Sequence, residues 1–188
     1  MTDQKLPRMR TLALEQMDAQ QRRIYDEIAA GPRGGVPGPL AVWIQSPGLA
    51  DTAQRLGQFV RYESALPPRL SELAILVTGR YWEAEYEWWV HRPIAEEAGL
   101  DAAVIDAILH RQTPEFSQAD ERVIYEFATE LHRDRRVSEA TYAEALELLG
   151  HRGVVDLVGI CGYYTLIAMT LNVFEVPLPD GEECVFSR

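Results

Sequence analysis

Residues 70–100 read LSELAILVTGRYWEAEYEWWVHRPIAEEAGL, and this stretch decides the fold. Its apolar residues follow the spacing of an α-helix and do not alternate with polar residues as they would in a half-buried strand. The stretch predicts two helices, or one bent helix, over about Arg69–Trp82 and Glu83–Ala98. Gly99 is a typical residue for ending the second helix, because glycine adopts the left-handed conformation there at no steric cost.

The rest of the chain shows the same helical periodicity, so we expect an all-α protein. The pattern from about 14 to 30 predicts a first helix that ends at the loop GPRGGVPGP, residues 31–39. The segment from about 153 to 174 is apolar nearly all round, which predicts the most buried helix. The residues expected to cap later helices are Ser46, Asp101, Ser117 and Ser138.

Composition and charge limit the class of protein and its partners. The chain has 188 residues, of which 47% are hydrophobic and 25% charged, as is typical of one globular domain. Its formal net charge is −11 and it has no basic run, which argues against nucleic acid and anionic membranes as partners. The long apolar segment 154–176 contains Asp156 and Glu175, so we expect a buried helix and not a membrane span. No signal-peptide pattern precedes it, so we expect a cytoplasmic location.

Glu87 and His91 lie four residues apart, so on a helix they project from successive turns of the same face. A carboxylate beside an imidazole fixes its tautomer and stabilises its charged form, as acid/base catalysis requires. On a solvated helix the same pair would be a surface salt bridge. Burial would instead raise the pKa of the carboxyl group, and it is favoured by five aromatic residues that cannot share one helix face. These are Tyr81, Trp82, Tyr86, Trp88 and Trp89, and the alternative for them is an aromatic core with charged groups at its rim.

Glu72 is surrounded in the sequence by apolar residues, and a buried carboxylate without a partner is costly. It therefore caps its helix, pairs with Arg69 or Arg80, or points into a functional cavity. Arg80 is the best local candidate for binding a substrate carboxylate, because its guanidinium offers two parallel donors. The alternative for Arg80 is an ion pair with Glu72 or Glu83.

The other candidate residues carry weaker signals. His110, His132 and His151 lie in polar surroundings without metal-ligand spacing, so we expect surface residues and no metal site. Cys161 and Cys184 lack the spacing of a redox pair, and neither is expected to be a nucleophile. No glycine-rich phosphate loop is present, and we expect no cofactor.

The run at 70–100 resembles the signature region of the carboxymuconolactone decarboxylase family, whose fold is shared with alkylhydroperoxidase D. The segment 119–176 resembles the second half of that family, so the similarity covers about residues 35–178. It leaves an N-terminal helix and loop at 1–34 and a tail at 179–188. The resemblance implies an alkylhydroperoxidase D-like helical bundle, a single domain that assembles into trimers or hexamers, with a pocket near a subunit interface.

The peroxidase branch of this family has a motif of Glu, eleven residues, Cys-x-x-Cys, three residues and His. Glu72 and His91 match its two ends, whereas Ala84 and Glu87 occupy the cysteine positions. Neither residue can cycle between thiolate, sulfenic acid and disulfide, so we expect no thiol peroxidase activity. The resemblance also implies that Glu72, Glu87 and His91 lie together in an apolar pocket, as an acid/base site would require.

Together with the acid/base residues, the resemblance implies a cofactor-free lyase or isomerase acting on a small unsaturated carboxylate or lactone. The expected catalytic residues are His91, Glu87 and Glu72. The expected substrate-binding residues are Arg80, Trp88 and Tyr81.

Two alternative functions remain open at this point. One is an antioxidant activity of the alkylhydroperoxidase class, which would have to use Cys161 or Cys184. The other is a non-catalytic oligomeric binding protein whose pocket has lost its chemistry.

Overall fold

The computed structural model describes residues 8–186, which form helices and loops and contain no β-strand, so the all-α class is confirmed. A 3₁₀ turn at Leu14–Gln16 precedes eight α-helices in this region. They are α1 (Ala19–Ala29), α2 (Pro39–Trp43), α3 (Pro47–Tyr62), α4 (Pro68–Tyr81), α5 (Glu85–Glu97), α6 (Ala102–Leu109), α7 (Ala119–Asp134) and α8 (Glu139–Phe174).

The first helix begins later than its apolar pattern predicts, because Asp18 caps α1. The Asp18 carboxylate accepts the backbone N–H of Gln21 at 2.8 Å, and the Gln21 side chain accepts the N–H of Asp18 at 3.0 Å. This reciprocal capping starts the helix at Ala19, so residues 14–16 form a separate turn. Ile24 and Ile28 of α1 belong to the same core as the rest of the chain.

Three of the four expected N-caps lie where the sequence predicts. Asp101 accepts the N–H of Ala103 at 2.8 Å, and Ser138 accepts that of Thr141 at 3.2 Å. Ser46 precedes α3, although its side chain makes no capping hydrogen bond.

The cap expected at Ser117 is wrong, because α7 begins one residue later with Gln118 as its N-cap. The side chain of Asp120 accepts the N–H of Glu121 at 2.8 Å. A donor of the first turn is thus satisfied from inside the helix, and no serine cap is needed.

The signature stretch folds as two separate helices, with α4 at the centre of the molecule. All ten residues from 70 to 79 are buried, because α5, α7 and α8 all pack against α4. Glu83 adopts a left-handed conformation in the turn that separates α4 from α5. Pro93 does not end α5, which continues to Glu97, and Gly99 follows it with a φ of 89° as expected.

The last helix is broken at Gly150, whose φ of 66° and ψ of 174° are not helical. The break separates the two helices that the sequence predicts in this region. By length and composition α8 could cross a membrane, but 61% of its most apolar window is buried inside the protein. The core helices of soluble proteins meet the same criteria.

The C-terminal tail is irregular, as expected, but it is held against the start of α5. The backbone N–H groups of Val185 and Phe186 donate to the carboxylate of Glu85 at 3.0 and 2.9 Å. The Phe186 ring packs edge-on against Trp88 and beneath the guanidinium of Arg80. The tail therefore covers the corner where α4 meets α5.

Candidate active site

Glu72 of α4 and His91 of α5 form a hydrogen bond between two buried side chains. The distance from His91 Nδ1 to Glu72 Oε2 is 2.7 Å. This bond answers the question that the sequence leaves open for Glu72, whose partner is neither Arg69 nor Arg80. It also means that His91 pairs across the helix interface and not with Glu87, its neighbour one turn away. Nδ1 is occupied, so Nε2 is the ring nitrogen that remains available to a ligand.

Glu87 is a buried carboxyl group without a polar partner in the part of the chain that the structure describes. It is 2% exposed, and neither oxygen has a hydrogen-bond partner among residues 8–186. The carboxyl group packs against Gly79 of α4, where a Cβ atom would come within 3.1 Å of Glu87 Oε1. Burial, with the negative charge of Glu72, raises the pKa of Glu87 well above its ordinary value. Glu87 therefore holds its proton more tightly than an exposed glutamate does, and it can act as a proton donor.

Glu87 and His91 line one cavity of about 70 Å³ between α5, α8, α3 and the loop that follows α1. Its walls are mostly apolar, with contributions from Leu40, Val90, Ile167 and Leu171. A largely apolar cavity that is partly open to solvent and holds a few polar groups is typical of small-molecule sites.

Two tyrosines of α8 form the wall opposite Glu87 and His91. The ring of Tyr164 meets the His91 ring edge-on, with centroids 4.9 Å apart. Burial, with the negative charge of Glu72, raises the pKa of Tyr164 well above its ordinary value. Burial raises the pKa of Tyr163 to about 12. Both phenols are therefore neutral at physiological pH and can donate hydrogen bonds into the cavity.

Arg33 and Arg61 also line the cavity, and sequence analysis did not find them. Arg33 lies in the loop between α1 and α2, and Arg61 lies near the end of α3. Their positions in the chain are far from the signature stretch, and no local pattern marks them. Only the packing of α3 and the loop against α8 brings them to the site.

The three residues expected to bind substrate lie outside this cavity. Arg80 donates from Nε to the carbonyl oxygen of Leu109 at 2.7 Å, which turns it toward α6. Tyr81 is 50% exposed and stacks on the ring of His132. Trp88 is 1% exposed and is a core residue. Nearness in sequence to Glu87 misled the prediction, because side chains at other helix angles face other neighbours.

His132 is a correction to the expectation of a surface residue. Its Nε2 lies 2.9 Å from the Thr78 hydroxyl, and its ring stacks on Tyr81 at 5.1 Å. Burial lowers the pKa of His132. The buried apolar residues of α7 turn this face of the helix, and His132 with it, toward the protein, although an arginine follows His132 in the sequence. His110 and His151 are exposed, as expected.

The two cysteines are free and lie in different surroundings. Cys161 is buried, and burial raises its pKa to about 12, whereas Cys184 is exposed in the tail. Cys161 is thus the small apolar core residue that the sequence predicts. In the part of the chain that the structure describes, no group of three or more His, Cys, Asp or Glu is placed to hold a metal ion.

Two solved structures share this architecture. One is described as an alkylhydroperoxidase AhpD core and an uncharacterized peroxidase-related protein from Ralstonia eutropha JMP134, with a TM-score of 0.76, 16% identity and 94% of each chain covered. The other is an uncharacterized peroxidase-related protein from Silicibacter sp. TM1040, with a TM-score of 0.74, 18% identity and 96% of each chain covered. No family model and no curated protein matches the chain.

The chain therefore has the alkylhydroperoxidase D-like fold over nearly its whole length. At these identities the likeness shows the fold and not the reaction. The reaction has to be argued from the site itself.

Proposed function

We propose that this protein is a cofactor-free lyase or isomerase of the carboxymuconolactone decarboxylase kind, acting by acid/base chemistry on a small unsaturated carboxylate or lactone. The observation that carries the proposal is that Glu87 and His91 line one cavity, with Nδ1 of His91 held by Glu72 from behind the cavity wall. A buried acid with a raised pKa beside an oriented imidazole is the arrangement that proton transfer to carbon needs.

Each of the three residues has a separate role in this mechanism. Glu72 holds Nδ1 of His91 and so directs Nε2 toward the substrate. Protonated Glu87 donates a hydrogen bond to the carbonyl oxygen on which negative charge develops. In a decarboxylation the electron pair of the breaking C–C bond forms an enolate, and His91 delivers the proton that converts it to product. Water then returns that proton to His91.

Proton transfer to carbon can be measured directly. The protein would be incubated in D₂O with small unsaturated carboxylates and lactones, including carboxymuconolactone, and followed by NMR. We expect deuterium incorporation or carbon dioxide release with at least one of them. Binding without either product would instead favour the non-catalytic binding protein.

A thiol-dependent peroxidase is the second candidate, because the two solved structures described above are called peroxidase-related. The chemistry of this chain argues against it. Ala84 and Glu87 stand at the positions of the cysteine pair, and Cys161 is buried with a pKa of about 12.

We predict that peroxide consumption is negligible and unchanged when both cysteines are replaced by serine. The measurement compares the wild type with the Cys161→Ser/Cys184→Ser variant in the presence of a thiol reductant. Consumption that disappears in the double variant would contradict the acid/base proposal.

The exposed face of α8 supports assembly of copies of this chain into a trimer or hexamer. Val155, Val158, Met169 and Val173 are all exposed on this helix, and Val155 is 68% exposed. A chain with a net charge of −11 associates with itself most easily through an uncharged face. The small-molecule partner and the cytoplasmic location expected from the sequence stay predictions.

We predict that Val155→Glu with Val158→Glu converts the assembly to monomers. Each carboxylate would be buried against the apolar face of another copy. Light scattering after size exclusion measures the mass, with Leu14→Glu as a control at an exposed apolar residue outside α8. An unchanged mass in the double variant would exclude this face from the interface.

A further inference from the structure

The cavity contains two cationic side chains that no carboxylate neutralises. Arg33 and Arg61 are half-buried, and neither forms an ion pair among residues 8–186. Most other arginines among the described residues are paired with a carboxylate, as Arg69 is with Asp120 and Glu121. A partly desolvated guanidinium without a counter-charge is unfavourable, so a ligand that supplies the charge would bind well.

A glycine on α3, Gly57, leaves room for the side chains of Arg33 and Tyr163. A Cβ atom at Gly57 would lie 2.1 Å from the Tyr163 hydroxyl oxygen and 2.7 Å from Arg33 Nη2. Both polar groups therefore reach the same small space, which any other residue at this position would fill. Arg61 follows Gly57 by one helical turn and so projects from the same face of α3.

Tyr163 lies within electrostatic range of both the arginines and the acid. Burial and the negative charge of Glu87 raise the pKa of Tyr163, and the positive charges of Arg33 and Arg61 oppose that rise. The two guanidinium groups, the phenol, Glu87 and His91 all line the same cavity. A ligand held by the arginines would therefore also meet Glu87 and His91.

We propose that Arg33, Arg61 and the Tyr163 hydroxyl bind the carboxylate of a small organic acid and present its unsaturated carbon chain to Glu87 and His91. This inference assigns the residues that bind the carboxylate of the substrate. It rests on the proposed function only for the reaction, since binding can be measured alone. Guanidinium groups match the planar, two-oxygen geometry of a carboxylate, and a neutral phenol adds a third donor. A cavity of about 70 Å³ holds about five water-sized groups at ~15 Å³ each, which limits the ligand to a short chain.

Calorimetry with the full chain tests the binding of crotonate and fumarate, which are short unsaturated acids. Crotonamide serves as the uncharged analogue, and inorganic phosphate tests for general anion binding. We expect at least one acid to bind, and crotonamide and phosphate to bind at least tenfold more weakly than that acid. Arg33→Gln and Arg61→Gln should each weaken the binding at least tenfold, and Tyr163→Phe by a smaller factor.

Arg22→Gln is the matched control, because Arg22 is an exposed arginine paired with Asp26 outside the cavity. Circular dichroism and thermal melting check that each variant is folded. The inference is overturned if neither acid binds, if crotonamide or phosphate binds as tightly, or if the cavity variants bind like Arg22→Gln. Binding that depends on both arginines but leads to no turnover would support the inference and refute the proposed function. Turnover that is unaffected in both arginine variants would refute the inference and support the proposed function.

Discussion

Replacing His91 by glutamine is expected to lower turnover by about 10²- to 10⁴-fold, the usual contribution of a general acid or base. The glutamine amide can still donate a hydrogen bond to Glu72, so the buried carboxylate keeps a partner. The variant should therefore fold and assemble normally. It loses activity because an amide cannot carry a proton to or from the substrate. The rate is measured as deuterium incorporation or carbon dioxide release on the substrate found for the wild type.

His110→Gln is the control for this variant, because His110 is an exposed histidine on another helix end. It should react at the wild-type rate. Circular dichroism and light scattering should give the same helix content and mass for all three proteins. A wild-type rate in His91→Gln would remove the imidazole from the mechanism.

Replacing Glu87 by glutamine is expected to stabilise the protein, and to do so more strongly as the pH rises from 5 to 8. In the folded wild type, burial and the charge of Glu72 raise the pKa of Glu87, so this carboxyl group keeps its proton to a higher pH than it does in the unfolded chain. In the unfolded chain it ionises at its ordinary pKa. Unfolding therefore releases a proton, and the wild-type stability falls by about 1.4 kcal/mol per pH unit between the unfolded and folded pKa values. Glutamine does not titrate and avoids this loss.

Urea unfolding at pH 5, 6, 7 and 8, at one protein concentration, measures the effect. The difference in unfolding free energy between Glu87→Gln and the wild type should grow with pH. Glu97→Gln is the matched control, because Glu97 is an exposed glutamate at the end of the same helix. Its difference from the wild type should be small and independent of pH. A constant difference for Glu87→Gln as well would mean that Glu87 is already ionised in the folded protein.

The two predictions concern the same pocket but separate its parts. The turnover of His91→Gln tests proton transfer by His91. The pH dependence of the unfolding free energy of Glu87→Gln tests whether Glu87 keeps its proton in the folded protein. A variant with raised stability and lost activity would be typical of an active site, where function is maintained at a cost in stability.

The helices could be predicted from the sequence because the signals that form them are local. Apolar spacing identified α4 and α5, and Asp101, Ser138 and Gly99 marked helix ends as expected. The errors were also local. The start of α7 was misplaced because a side chain within the first turn of that helix satisfies a donor that a serine cap would otherwise satisfy.

Part of the site could be predicted, because Glu72 and His91 match the two ends of a known motif and Glu87 occupies one of its cysteine positions. The partner of His91 could not be read from spacing. Glu87 lies four residues away on the same helix, yet Glu72 on the neighbouring helix forms the hydrogen bond. Arg80, Tyr81 and Trp88 were expected in the pocket because they are close in sequence, and they face α6, His132 and the core instead.

The amino-acid sequence by itself determined the helical class, the order of the helices and the loss of the cysteine pair, because these depend on residue type and short-range spacing. Only the tertiary structure decided that Glu87 is buried without a partner among residues 8–186 and that Arg33, Arg61 and Tyr163 share a cavity with it. The reason is physical. A helix sets which residues share a face, but the charge state and ligands of a side chain depend on what packs against that face from distant parts of the chain.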